Sequence, residues 1–94
     1  MPFPQQEPRL YTRADVEALS PGQLGVYGLY RAGLWVYVGN GDIRQRLLDH
    51  LNGDNPCISA SGPTHWVSAV TSAYDQLERQ LILELSPVCN QRVG

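Results

Sequence analysis

The sequence contains no lysine, and all seven of its basic side chains are arginines. Its formal net charge is −2, which argues against a protein that covers nucleic acid with a broad basic surface. Arginine binds phosphate through two parallel hydrogen bonds, so a few well-placed arginines can still hold a nucleic acid. We expect such binding to be weak and to fall as the salt concentration rises.

Long apolar runs are also absent, and we expect no cleavable leader. No run approaches the roughly 18 residues of a membrane helix, and no charged-then-apolar segment precedes a small-residue cleavage site. We therefore expect a soluble, cytoplasmic protein with no membrane contact.

Cysteine is scarce. Cys57 and Cys89 stand 32 residues apart, in neither a C-x-x-C pair nor a zinc-binding pattern. We expect two free thiols, as in a reducing compartment, and a disulfide between them is the alternative.

Ninety-four residues with a hydrophobic fraction of 43% predict one globular domain over residues 1–94. Residues 1–9 carry three prolines and no periodicity, so we predict a loose arm. After this arm, the sequence predicts helices and strands in the order helix, strand, strand, helix, strand, helix. This order predicts an α+β fold with a small three-stranded, mainly antiparallel sheet flanked by helices.

Three segments rich in aromatic and β-branched residues predict the strands, at Gly25–Arg31, Leu34–Gly39 and His65–Val70. Ala32-Gly33 between the first two is a two-residue hairpin connection. Strict alternation in the second strand would place Val36 and Val38 on one face and Trp35 and Tyr37 on the other.

Capping residues predict where the helices begin. Thr12 is expected to cap a first helix that ends at Ser20-Pro21-Gly22. Asp42 is expected to cap a second helix that ends near Leu51, and Thr71 or Ser72 a last helix that ends near Leu85. Residues 52–63, rich in glycine, proline, asparagine and serine, predict a surface loop, and residues 88–94 show no regular pattern.

Glu78 is an anomaly in the last predicted helix. At 100° per residue it falls inside the apolar stripe, between Leu85 and Ile82. A carboxylate on a packing face loses hydration at a cost of several kcal/mol unless it gains a partner. It is therefore either half of an ion pair with an arginine, or a metal ligand or acid–base group.

Arg46 and His50 are four residues apart and share one edge of the second helix. Their structural interpretations are a snorkelling arginine and a histidine that interacts with the helix dipole. Three of the five tyrosines, namely Tyr27, Tyr30 and Tyr37, lie in the predicted hairpin. Tyrosines in strands usually pack with the hydroxyl at the rim.

Together these residues resemble the GIY-YIG nuclease family. Gly25-Val26-Tyr27 and Tyr37-Val38-Gly39 correspond to its two signature triplets. Arg46 corresponds to the family arginine, with Arg44 as the alternative, and Glu78 to the family glutamate. Asn90, twelve residues after Glu78, corresponds to the family asparagine. The resemblance covers residues 25–90.

The resemblance implies a metal-dependent endonuclease that hydrolyses phosphodiester bonds, with DNA as the preferred substrate. A single Mg²⁺ or Mn²⁺ ion would be held by Glu78, and Arg46 would stabilise charge on the phosphoryl group. Tyr27 would orient and deprotonate the attacking water. His50 would be the group that accepts a proton from Tyr27. Tyr37 would hold the phosphate or support the hydrogen-bond network, and Asn90 would orient its neighbours.

The chain shows no additional DNA-reading element, so a homodimer or a partner that confers specificity would be needed to recognise a long site. The alternative interpretation is a catalytically silent module that binds nucleic acid or protein on the same fold. The acidic net charge and the absence of lysine favour this alternative.

Overall fold

The computed structural model describes Phe3, Gln6 and residues 9–90 of the chain. Its strands are β1 (Arg9–Leu10), β2 (Leu24–Arg31), β3 (Leu34–Asp42) and β4 (His65–Val70). Its helices are α1 (Arg13–Glu17), α2 (Ile43–Leu51), α3 (Pro56–Ser61) and α4 (Tyr74–Leu85), and a 3₁₀ turn follows at Val88–Asn90. The α+β class is as predicted.

The sheet has four antiparallel strands in the order β1-β4-β2-β3, so the prediction of three strands is wrong by one. The missing strand, β1, is two residues long and pairs Arg9 with Trp66 and Leu10 with His65. A two-residue strand has no alternation to detect, because a period of two needs several residues to be visible.

Before Arg9, the predicted loose arm is described only at Phe3 and Gln6, and both residues contact the sheet. Phe3 is 2% exposed, and its ring stacks on Trp35 with centroids 5.6 Å apart. The side-chain amide of Gln6 donates to the carbonyl of Ser68 and accepts from the amide of Ser68. These contacts hold Phe3 against β3 and Gln6 against β4, and the other residues of the predicted arm before Arg9 lie outside the described residues.

The hairpin turn between β2 and β3 is confirmed. Ala32 and Gly33 both have positive φ, 49° and 79°, which is the geometry of a type I′ turn. This turn matches the right-handed twist of the two strands, so the hairpin register is set locally.

A β-bulge in β3 overturns the predicted alternation. Leu29 pairs with Tyr37 and the next residue of β2 pairs with Trp35, so Val36 has no partner. The extra residue brings Val36 and Tyr37 to one face of the sheet, while Trp35 and Val38 pack on the other. Strict alternation fails here because a bulge inserts one residue into a period of two.

Apolar side chains form a core on each face of the sheet. Helices α1, α2 and α3 cover one face and build the α2-side core of Val16, Tyr27, Leu29, Val36, Ile43, Leu47, Ile58 and Trp66. Helix α4 and Phe3 cover the other face and build the α4-side core of Phe3, Val26, Val38, Val67 and Leu81. β3 is an edge strand, so residues from the layers on its two faces can meet beyond its free edge.

Helix boundaries agree with the capping residues in two cases. Thr12 accepts a hydrogen bond from the amide of Asp15 at the start of α1, and Asp42 accepts one from the amide of Gln45 at the start of α2. α1 is shorter than predicted, because it ends at Glu17. None of the described helices is long and apolar enough to cross a membrane.

The predicted loop over residues 52–63 contains a helix, α3. The side chain of Asn55 caps it, Pro56 occupies its first turn, and Gly62 ends it with φ 62°. Proline at the start and glycine at the end favour a short helix, but six residues are too few to show an apolar period.

The last helix starts later than predicted. It begins at Tyr74, after Ala73, with no side-chain cap, while Thr71 accepts from the amide of Ala73. Its end at Leu85 is as predicted, and Ser86 turns the chain with φ 48°.

Cys57 and Cys89 form a disulfide, with Cα atoms 5.6 Å apart, so the prediction of two free thiols is wrong. The bond joins α3 to the 3₁₀ turn, and sequence spacing could not show that these elements are neighbours. Disulfides persist mainly in oxidising compartments, whereas free thiols were expected alongside a cytoplasmic location. That location stays a prediction.

We expect the double variant Cys57→Ser/Cys89→Ser to be less stable than the wild type by about 3–4 kcal/mol, because the bond closes a loop of intermediate length in the unfolded chain. Denaturant unfolding of the oxidised wild type, the reduced wild type and the variant would measure this. The reduced wild type should match the variant. Two titratable thiols in protein purified without reductant would contradict the disulfide.

Candidate active site

A buried hydrogen bond joins the sheet to α2. The hydroxyl oxygen of Tyr27, on β2, lies 2.7 Å from Nε2 of His50, in the last turn of α2. Tyr27 is 0% and His50 3% exposed. A buried phenol and a buried imidazole each need a hydrogen-bond partner, and here each is the partner of the other.

Gly39 leaves the room that this pair occupies. It pairs with Tyr27 across the hairpin, and a Cβ atom at this position would lie 2.3 Å from the Tyr27 hydroxyl oxygen. No real Cβ contact is that short, so the tyrosine could not keep its position beside any larger residue. The glycine at position 39 is therefore explained by its packing against Tyr27.

Asp54 holds the other nitrogen of His50, with 2.7 Å between its Oδ1 and the ring Nδ1. It reaches this position through the turn that ends α2. The amide of Gly53 donates to the carbonyl of His50, and the amide of Asp54 donates to the carbonyl of Asp49. With Gly53 at φ 86°, these two bonds make a Schellman motif.

Arg46 lies one turn before His50 and is held by two carboxylates. Its Nη1 is 3.1 Å from Asp49 and 3.7 Å from Asp54. Its guanidinium is also close enough to Tyr27 and Tyr37 to lower the pKa of both hydroxyls. Arg46, rather than Arg44, is thus the arginine that acts on Tyr27 and Tyr37.

Burial outweighs Arg46 at both tyrosines. Desolvation, followed by the neighbouring Tyr37, raises the pKa of Tyr27 well above its usual range. Desolvation, followed by the charge of Glu78, raises the pKa of Tyr37. Both phenols therefore stay protonated at neutral pH, and neither is a preformed base.

Tyr37 connects this group to a cleft at the free edge of β3. Its ring centroid is 6.3 Å from that of Tyr27 and 5.1 Å from that of His50. The cleft has a volume of about 340 Å³ and is lined by Tyr37, Asn55, Glu78, Ile82, Cys89 and Asn90. It brings together parts of β3, α3, α4 and the 3₁₀ turn, which are far apart along the chain.

Glu78 enters this cleft from α4 and is half-buried. Its carboxylate makes no hydrogen bond or salt bridge with any residue that the structure describes, so the ion-pair interpretation is not observed. Desolvation, with the nearby charge of Asp75, raises its pKa, and Arg79 offsets part of that rise. The ionised form of the Glu78 carboxylate is therefore disfavoured at this position.

Asn90 forms one wall of the cleft and is engaged with the backbone. Its amide group accepts from the Val38 amide at 2.7 Å and donates to the Val38 carbonyl at 2.9 Å. It acts as a substitute strand partner on the free edge of β3. These two bonds hold the 3₁₀ turn against β3, and the orienting role implied for Asn90 stays a prediction.

The structure brings all six predicted site residues to one region, in two groups that share Tyr37. Tyr30, the third hairpin tyrosine, packs with the α4-side core on the opposite face. Sequence reasoning missed Asp54 and Asn55. The glycine that follows α2 and the Asn-Pro pair that starts α3 were the available signals, but neither indicates proximity to His50 or Glu78.

Within residues 9–90 and the two described residues before them, no cluster of three or more histidine, cysteine, aspartate or glutamate side chains could enclose a metal ion. A Mg²⁺ site does not require such a cluster, because this ion keeps several waters and often uses one or two carboxylates with substrate phosphates. The unpaired Glu78 carboxylate fits that kind of site.

Comparison of the chain with protein-family models, with curated proteins and with solved structures found no match.

We expect Tyr27→Phe to lower the free energy of unfolding by about 1–3 kcal/mol, because Nε2 of His50 would be left buried without its partner. Tyr30→Phe is the matched control, since its hydroxyl bonds to none of the described residues, and it should change stability by less than about 0.5 kcal/mol. Chemical denaturation measures both. Equal effects would show that the Tyr27–His50 bond contributes nothing specific.

We also expect Glu78→Gln to stabilise the protein at neutral pH. A carboxyl group whose pKa is raised on folding favours the folded state at low pH, and this stability is lost as pH rises through the folded-state pKa. The variant should gain less than about 1 kcal/mol, because the side chain is partly exposed.

Denaturation at several pH values tests this expectation. The difference from wild type should vanish below about pH 4, where Glu78 is protonated in both states. Glu84→Gln, on the exposed face of the same helix, is the control. A gain that grows on acidification would contradict the assigned sign.

Proposed function

We propose that this chain is a metal-dependent endonuclease of the GIY-YIG type that hydrolyses phosphodiester bonds, with DNA as the preferred substrate. The observation that carries the proposal is the cleft at the edge of β3. There the unpaired carboxylate of Glu78 and the ring of Tyr37 line one cavity, and Tyr37 contacts the buried Tyr27–His50 pair. Binding alone would not require a desolvated carboxylate without an ion-pair partner.

The proposed metal is one Mg²⁺ or Mn²⁺ ion held by Glu78, with water and phosphate oxygens as its other ligands. When bound, the ion would polarise the phosphate and stabilise negative charge on the leaving 3′ oxygen. A single carboxylate predicts weak binding without substrate. Because the phosphate oxygens of the substrate would complete the metal site, metal binding would be coupled to nucleic-acid binding.

Proton transfer is proposed to run from water to Tyr27 and from Tyr27 to His50. Because the pKa of Tyr27 is raised by burial, its phenol must lose its own proton to Nε2 of His50 as it takes one from the water. The resulting hydroxide attacks phosphorus, and the bond from phosphorus to the 3′ oxygen breaks. The 3′ oxygen then takes a proton from solvent.

Arg46 is proposed to stabilise the charge that develops on the phosphoryl oxygens. Its ion pairs with Asp49 and Asp54 hold the guanidinium, and its side chain remains 38% exposed, so it stays accessible to a phosphate. Tyr37 would bind the phosphate or support the network, and Asn90 would fix the cleft wall.

The substrate would be held weakly. The net charge is −2 and every basic residue is an arginine, so few phosphate contacts are available and affinity should fall steeply with salt. A homodimer or a separate partner is proposed to supply any long-site specificity.

A second candidate is a catalytically silent binding module on the same fold. The complete burial of Tyr27 favours it, because water must reach this hydroxyl for the proposed chemistry. In that case the Tyr27–His50 bond would serve only to attach α2 to the sheet.

Glu78→Ala is expected to abolish metal-dependent cleavage and to leave the fold intact, since it removes a charge from an apolar helix face. The assay would use plasmid and labelled single- and double-stranded DNA and RNA, with Mg²⁺, Mn²⁺ or EDTA. Glu84→Ala, on the exposed face of α4, is the matched control and should cut like wild type.

Circular dichroism should show the same helix content in both variants. Nicking that persists at the wild-type rate in highly purified Glu78→Ala would refute the assigned role of this carboxylate. Binding without cleavage by the wild type under every metal condition would instead favour the silent module.

A further inference from the structure

We infer that Asp54 is a positioning residue of this site, whose carboxylate holds the His50 ring in the tautomer that leaves Nε2 free to accept the Tyr27 proton. This inference rests on the proposed function for its catalytic consequence. Its structural content, the tautomer of His50, can be tested without any cleavage assay.

The tautomer follows from what each partner can donate. An ionised carboxylate has no hydrogen to give, so in the 2.7 Å contact with Asp54 the hydrogen belongs to Nδ1 of His50. A neutral imidazole carries only one N–H, so Nε2 has a lone pair. In the 2.7 Å contact with Nε2, the Tyr27 hydroxyl is therefore the donor. Without Asp54, neither contact would favour the Nδ1–H tautomer, in which Tyr27 donates, over the Nε2–H tautomer, in which Tyr27 accepts.

The position of Asp54 is itself determined by the backbone. The Schellman motif at the end of α2 directs the chain back along the helix, which brings Asp54 beside a residue four positions earlier. The Asp54 side chain is 36% exposed whereas that of His50 is 1% exposed. Asp54 is therefore in contact with water while its Oδ1 orients a buried ring. It would also stabilise the imidazolium that forms after proton transfer.

Asp54 has a second contact, and its effect must be distinguished from that of the contact with His50. Its Oδ2 lies 3.7 Å from Nη1 of Arg46, so loss of the carboxylate could act through the arginine. Asp49 is closer to the same nitrogen, at 3.1 Å, and its side-chain contacts are with Gln45 and Arg46 rather than with His50. Asp49→Asn is therefore a matched control for the Arg46 contact.

The test compares wild type, Asp54→Asn and Asp49→Asn by two measurements. Long-range ¹⁵N–¹H correlation spectra report which ring nitrogen of each histidine is protonated. The chain has two histidines, and His65→Gln assigns their signals. Single-turnover cleavage with Mg²⁺ at saturating enzyme reports the chemical step.

We expect the Nδ1–H form of His50 in wild type and in Asp49→Asn. In Asp54→Asn the amide oxygen is expected to face the Arg46 guanidinium, so that the amide nitrogen faces Nδ1 as a donor and the Nδ1–H form is lost. The single-turnover rate should fall about 100- to 10,000-fold in Asp54→Asn, as expected when a catalytic histidine takes the wrong tautomer and general-base catalysis is lost. Asp49→Asn should lose only what its contact with Arg46 contributes, because Asp49 does not touch the ring, so its rate should fall less than that of Asp54→Asn.

An unchanged Nδ1–H signal in Asp54→Asn would overturn the inference. A rate loss in Asp54→Asn no greater than that in Asp49→Asn would overturn its catalytic consequence, because the Arg46 contact would then account for the loss. If wild type does not cleave any substrate, the proposed function fails, and the tautomer measurement alone then decides whether Asp54 positions His50. The two failures are thus distinguishable.

Discussion

The rest of the site depends on the buried hydrogen bond between Tyr27 and His50. Both groups are removed from water, so each would be costly to bury without the other. Because Tyr27 lies on a central strand and His50 lies in the last turn of α2, the bond fixes the orientation of that helix on the sheet. No residue larger than glycine fits at position 39, because the Tyr27 hydroxyl occupies that space. The Asp54 carboxylate is held by its contact with Nδ1, the second nitrogen of the His50 ring.

The second organising feature is the free edge of β3. The two faces of the sheet have separate cores, and residues from opposite faces can approach one another around an edge strand. Tyr37 belongs to the α2 side and Glu78 to α4, and both line the cleft at this edge. Asn90 satisfies the backbone of β3 there, and the adjacent disulfide ties the same turn to α3. The cleft is thus built from a strand edge that would otherwise be unpaired.

Local chemistry made much of the fold predictable. The Ala32-Gly33 turn and the caps at Thr12 and Asp42 each act within a few residues, so their signals lie in short stretches of sequence. The errors have an equally physical origin. β1 and α3 are too short to display a period, and the bulge at Val36 changes the facing of its neighbours without altering composition.

For the site, the sequence alone determined which residues were chemically unusual: a carboxylate within an apolar stripe at Glu78, an arginine and a histidine one helical turn apart, and tyrosines in a hairpin. Only the tertiary structure decided which of them meet. It placed Asp54 on His50, left Glu78 without an ion-pair partner among the described residues, and joined Cys57 to Cys89. These outcomes depend on how helices pack across a sheet edge, and contacts between segments far apart in the chain leave no local pattern in a single sequence.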